Sequence, residues 1–222
     1  MRRGARGGAE APRVPQPDVA AHLEHGDPTD LRSATVSAVD LSGADLSGTA
    51  LDEAQVEGSS LEGARAAGAQ WHRTTLVDCR LDGADLANLH AEELALMRCS
   101  LREVRLTGAQ LAGARLRSVL VEGTQAALTN WHGARLSSVV LRGVDLSEAD
   151  LTGARLTDVL LEDCTLTRAT LDGMRCENVH VRGCRLDGIS GVTALRGARV
   201  SPEDAQALLP AMARELGITL AD

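Results

Sequence analysis

The sequence predicts an all-β solenoid made of square coils of four pentads each, and three observations carry that prediction. From Val36 to Leu186 every fifth residue is apolar: the 31 positions hold 21 Leu, 4 Val, 3 Ala, 2 Trp and 1 Cys. The residue two places earlier, from Ala34 to Cys184, is small or apolar and never charged. The frame does not slip anywhere in this span, and Pro is absent between Thr29 and Ser201. A period of five matches neither the 3.6 of a helix nor the 2.0 of a strand. Two inward sites at one fixed spacing require a constant turn per pentad. At a quarter turn, four pentads close one coil, and coils stack through backbone hydrogen bonds at about 4.8 Å. Glycine fits the corners, since 15 of the 22 Gly fall two places after the large apolar site.

At 222 residues one domain is expected. Apolar content of 44% and charged content of 24% are ordinary, whereas 1% aromatic content is not, so the core must be built from Leu, Val and Ala. Every one of the 23 basic residues is Arg, which fits a GC-rich coding bias and a bacterial source. The net charge of −8 does not by itself dictate a partner.

Residues 1–17, rich in Arg, Gly and Pro, read as a disordered tail with no secretory h-region, and no run reaches transmembrane length. The expected location is therefore the cytoplasm, with reduced cysteines and no membrane contact. Residues 18–28 read as a short capping helix, with Asp18 as N-cap and Gly26 past its end. Residues 29–200 form the solenoid. Residues 201–222 read as a second capping helix, with Ser201 as N-cap, Pro202 in the first turn and Asp204 near the capping-box site. Its apolar face is Ala205, Leu208, Leu209, Met212 and Leu216; Pro210 kinks or splits it, and Gly217 ends it.

The phrases ADLSG (44–48), ADLTG (149–153) and ARLTD (154–158) resemble the A(D/N)LXX pattern of the pentapeptide repeat family, over roughly residues 30–200. The resemblance implies a right-handed quadrilateral β-helix of about eight coils, a rod roughly 38 Å long, with helical caps covering its exposed ends. Relatives often place Phe at the large inward site; here Leu stands instead. The C-terminal block, GVTALRGARV and the helix after it, resembles the ends of actinobacterial members, some of which dimerise there. A homodimer through this helix and a monomer whose helix covers the last coil both stay open. The branch resembled implies a non-catalytic DNA mimic that binds DNA gyrase or another type II topoisomerase and modulates it or protects it from quinolones. The alternative is a protein-binding scaffold of unrelated purpose. Neither needs a cofactor or direct nucleic-acid binding.

Positions four pentads apart stack, so the surface can be unrolled from the sequence. The first face carries Asp30, Asp52, Glu53, Glu92, Glu93, Asp150 and Asp172 against only Arg32 and Arg73, and is the candidate acidic partner face. The second holds a ladder of Arg115, Arg135, Arg155 and Arg175, which either bridges to neighbouring columns or binds phosphates. The third has a mixed-sign column, Glu62, Asp82, Arg102, Glu122, Arg142, Glu162 and Arg182, that suits mutual salt bridges. Beside it Leu120, Val140 and Leu160 read as an outward apolar stripe and a candidate partner site. The fourth face alternates Asp45, Arg65, Asp85 and Arg105.

No HExxH, GxSxG, phosphate loop or dinucleotide fingerprint occurs, and a regular rod offers no obvious concave pocket, so no catalytic, cofactor or metal residues are expected. Cys79 and Cys99, and Cys164 and Cys184, stack in adjacent coils at inward sites and read as buried thiols in preference to disulfides. Trp71 and Trp131, the only aromatics, lie twelve pentads or three whole coils apart at the large inward site. Each Trp-His pair is thus a packing feature, with His72 and His132 about 14 Å apart outside.

Overall fold

The computed structural model describes residues 12–27, 31 and 35–219. It is a parallel β-solenoid of about eight coils. At almost every pairing the register advances by four pentads: Leu76 pairs with Leu96, Leu116 with Leu136 and Leu136 with Leu156. The second and third faces form one 11-stranded sheet. The first and fourth faces are held mostly by single bridges, such as Asp85 with Arg105 and Asn130 with Asp150.

Both inward columns are buried. Leu46, Leu76, Leu116 and Leu156 are at most 2% exposed, and the small site packs between them at Ala64, Ala109, Val139 and Ala169. The core leaves two slits of about 20 Å³ each, lined by large apolar side chains alone. That is room for a single water at most, and no polar partner is present to hold one.

The corners are more uniform than the glycine count suggests. Every corner position from Ala38 to Gly188, one per pentad, takes positive φ, and about half of them are not glycine. The coil geometry therefore imposes the left-handed conformation at every corner. Where the side chain is Glu, Arg or Asp, packing of the coil bears the strain of roughly 1 kcal/mol per residue.

The two ends differ from each other. No helix forms over the described part of 18–28, which corrects the expected N-terminal cap. Glu24–His25 instead pairs parallel with Val39–Asp40. Upstream, the chain runs extended along the corner between the second and third faces. The Ala20 N–H donates to the Gly58 carbonyl at 3.0 Å, the Asp18 N–H donates to Asp78 Oδ1 at 3.2 Å, and Arg102 Nη2 donates to Gln16 Oε1 at 3.3 Å. A strap edge-on to the stack satisfies open backbone groups as a helix cannot, because its own N–H groups stay free to donate. The expected tail overlaps this strap at residues 12–17; residues 1–11 and 28–30 lie outside the described residues.

At the far end the expected helix is split at Leu208 into α1, Pro202–Ala207, and α2, Leu209–Glu215, with Pro210 in the first turn of α2. The Asp204 N–H donates to Ser201 Oγ at 3.1 Å, and the Asp204 carboxylate accepts from the Cys184 N–H at 2.9 Å. Glu215 accepts from the N–H groups of Val192 and Thr193, at the start of a short 3₁₀ turn, Val192–Leu195. Two carboxylates thus close the last coil.

Candidate functional site

The first face presents its carboxylates from strand ends and corners of a rigid coil. Asp52 ends the strand Ala50–Asp52, which pairs with Gln70–His72, and Glu53 and Glu93 occupy corners. The side chains of Asp52, Glu53 and Glu92 are 61%, 68% and 72% exposed. Arg73 Nη2 lies 3.0 Å from Asp52 and 2.9 Å from Glu53. His72 sits between Asp52, at 3.4 Å, and Glu92, at 4.0 Å. Beside it opens a shallow cleft of about 440 Å³ lined by Gln70, His72, His90 and Glu92.

The expected acidic face is not continuous. Four carboxylates gather at Asp52, Glu53, Glu92 and Glu93. Asp150 and Asp172 stand three or more coils away, each held locally: the Thr152 N–H donates to Asp150 Oδ1 at 2.8 Å, and Asp172 Oδ2 lies 3.4 Å from Ser190 Oγ. Between them the surface is neutral, with Gln110 bonded to Asn130 at 3.1 Å and bare corners at Gly113 and Gly133. Asp30 lies outside the described residues.

The Arg ladder is as regular as the sequence implies. Arg115, Arg135, Arg155 and Arg175 are exposed and stand in direct register on successive strands. Among the described residues none of the four has an ion-pair partner, so the expected bridging to neighbouring columns is not made. The third face behaves as expected. Arg102 bridges Asp82 at 3.2 Å and Glu122 at 3.3 Å, and Arg142 bridges Glu122 at 3.2 Å and Glu162 at 2.7 Å. Glu162 also pairs with Arg182, and the hydrogen bond from Arg142 holds its carboxyl below the usual range. On the fourth face Arg65 lies 3.5 Å from Asp45, and Arg105 lies 3.3 Å from Asp85.

The apolar stripe is a correction. Val140 and Leu160 are 5% and 3% exposed, and Leu120 is half-buried, so they form no open docking surface. They stack in register, each hiding its neighbours' flanks, with the salt-bridge column alongside. The strap also climbs the adjoining corner toward them. Its contacts advance about one coil for every two residues, from Gly58 at Ala20 to Asp78 at Asp18 and Arg102 at Gln16, and Val14 and Pro12 beyond them are half-buried. Sequence reasoning assigned residues 12–17 no role, because an extended strap has no periodicity of its own.

The apolar face expected on the C-terminal helix is divided. Leu208 is 3% exposed and packs into the end of the rod, while Leu209, Met212 and Leu216 are 58%, 43% and 72% exposed. Ala205 also faces solvent, and Ile218, at 55%, extends the outer patch.

All five cysteines are free thiols. The hydrogen bond to the stacked thiol, together with burial, pushes Cys79 and Cys164 well up, and burial pushes Cys176 up to about 11. Such thiols are poor nucleophiles and poor metal ligands at neutral pH. Among the described residues no group of three His, Cys, Asp or Glu side chains could hold a metal ion, and no helix is long and apolar enough to cross a membrane.

A closed solenoid whose chemistry lies wholly in outward columns defines a repeat protein with its sites spread along flat faces. The chain belongs to the pentapeptide repeat family: eight copies of "Pentapeptide repeats" match over residues 29–65, 79–117 and 129–158. It is similar in fold to QnrB1, a plasmid-mediated fluoroquinolone resistance protein, in a trypsin-treated form. That match has 18% identity over 90% of this chain and 100% of the other, with a TM-score of 0.41. It is similar also to HetL of the cyanobacterium Nostoc sp., involved in heterocyst differentiation regulation, at 24% identity over 76% and 81% of the chains, with a TM-score of 0.33. Comparison with curated proteins gave no match.

Proposed function

We propose that the protein is a non-catalytic, cytoplasmic interaction protein that offers the carboxylates of its first face to a basic, DNA-binding groove, with DNA gyrase or a related type II topoisomerase as the partner. The observation that carries this is the cluster of Asp52, Glu53, Glu92 and Glu93, exposed within two coils of a rigid face. Carboxylates fixed before binding cost little ordering entropy, and they exchange counterions with a basic groove as phosphates do. The mimic is a short one, since neutral surface begins at Gln110. The test is gyrase supercoiling with and without a fluoroquinolone. The expected result is inhibition, or rescue from the drug, that weakens when Glu92 and Glu93 are changed to Gln. No effect at micromolar protein overturns the reading.

The outer patch of Leu209, Met212, Leu216 and Ile218 supports a second reading, a scaffold that pairs with another protein or with a second copy through the C-terminal helices. Light scattering tests the second-copy form. A mass twice 23.3 kDa that falls to 23.3 kDa on Leu209→Ser/Leu216→Ser supports it, and a wild-type monomer removes it.

A further inference from the structure

The edge between the first and second faces changes character halfway along the rod. By sequence position, its first half carries Asp52, Glu53, Glu92 and Glu93 against Arg32 and Arg73, and its second half Arg115, Arg135, Arg155 and Arg175 against Asp172. The relief changes too. The acidic half has Glu53, Arg73 and Glu93 projecting from its corners. The basic half has Gly113, Gly133 and Gly153 there, with nothing within 4 Å of where a side chain would begin.

The ladder is costly in the isolated chain. Three successive cross-strand pairs, Arg115 with Arg135, Arg135 with Arg155 and Arg155 with Arg175, set like charges directly opposite each other, which destabilises a sheet. None of the four has a partner among the described residues to relieve it. Glu93 likewise has none.

We infer that this edge is a self-recognition surface, on which a second copy of the chain packs side by side and antiparallel. Three features meet only in a second copy. Its acidic half matches the charge of the ladder. Its rungs have the same rise of about 4.8 Å, so charges stay in step along the edge. Its protruding corners fit the bare glycine corners. A two-fold axis crossing the edge between Glu93 and Arg115 brings each acidic half onto the other copy's basic half, and so forms the contact twice. Glu93 then faces Arg115 of the second copy and Glu53 faces Arg155; Arg73 falls opposite Arg135, its charge held by Asp52 and Glu53 of its own copy. The pairing does not rest on the gyrase reading, and because it covers Glu53 and Glu93 it would compete with any basic partner of that face.

Sedimentation equilibrium of the full chain tests the inference, in a Leu209→Ser/Leu216→Ser background that removes pairing through the helices. A dimer at low salt is expected, weakening about tenfold or more as salt is raised to around 0.5 M. Arg115→Glu/Arg155→Glu and Glu53→Arg/Glu93→Arg should each be monomeric, with unchanged thermal unfolding confirming that they fold. Mixed one to one, the two variants should dimerise again, because each supplies the charge the other lost. A background protein that stays monomeric at low salt overturns the inference, as does a dimer indifferent to both reversals or a mixture that fails to recover. A monomer that instead binds heparin or single-stranded DNA through these arginines also overturns it and assigns the ladder to a polyanion.

Discussion

The first four coils and the last four obey one pentad rule and differ in almost everything that faces outward. The early half has an acidic edge, projecting corners, and strands that break at each corner, such as Gln55–Glu57 and Thr75–Val77. The late half has a basic edge, glycine corners, and longer strands that cross from the second face to the third unbroken: Arg135–Arg142, Arg155–Glu162 and Arg175–Arg182. The fold tolerates opposite charge at equivalent outward sites because its stability comes from inward columns, where the halves agree. Where they disagree inside, a difference in energy follows. Trp131 Nε1 donates to Thr129 Oγ1 at 2.8 Å, whereas Trp71 Nε1, buried in the same way three coils earlier, has no acceptor because Ala69 stands where the later coil has Thr.

That contrast can be broken most forcefully at the rings themselves. Trp71→Ala and Trp131→Ala should each cost about 3–5 kcal/mol in urea unfolding. Trp131→Ala should cost about 1 kcal/mol more, since it alone gives up a buried hydrogen bond. Equal losses would show that the Thr129 bond contributes nothing. A smaller effect comes from exchanging the acceptors: Ala69→Thr should stabilise by about 1 kcal/mol, and Thr129→Ala should destabilise by about 1–3 kcal/mol by orphaning the Trp131 N–H. A destabilising Ala69→Thr would mean that the early coil lacks room for the hydroxyl.

The smallest effect is in acid. The hydrogen bond from Arg98 holds the Asp78 carboxyl below its ordinary value, as Arg142 does for Glu162. Each carboxylate therefore contributes stability that is complete above its unfolded value, near pH 4, and is lost as pH falls through its lower folded value. Asp78→Asn, in the early half beneath the strap, and Glu162→Gln, in the late half, should each lower the melting temperature at pH 7 and shrink its fall below pH 4. An unchanged acid slope in either variant would rule that pair out as a source of acid sensitivity.

The core was legible residue by residue because an inward column leaves a period in the sequence. Leu116, Val139 and Cys164 are buried where the frame of five places them. The mixed-sign column was legible for the same reason: once the coil is known to be four pentads long, Glu122, Arg142 and Glu162 must be rungs apart. The stripe was misread because exposure is not periodic. Val140 faces outward from its own coil yet is covered by its stacked neighbours. The N-terminal helix was misread because Asp18 and Gly26 resemble a helix start and stop, while local propensity carries no term for the carbonyls left open at Ala38, Asp40 and Gly58.

The pentad frame alone dictated the coil, its length, the core and the column each charge occupies, because a repeat turns one local geometry into a whole molecule. How the ends are closed, and which charges are left without partners, was settled in three dimensions. Whether the edges of a stack are met by a strap, a carboxylate or a helix depends on groups brought together from 20 to 86 residues apart. No local pattern records such meetings. The four unpaired arginines could be placed in one column from their spacing, but that nothing in the described chain reaches them follows only from where the folded chain puts its acids.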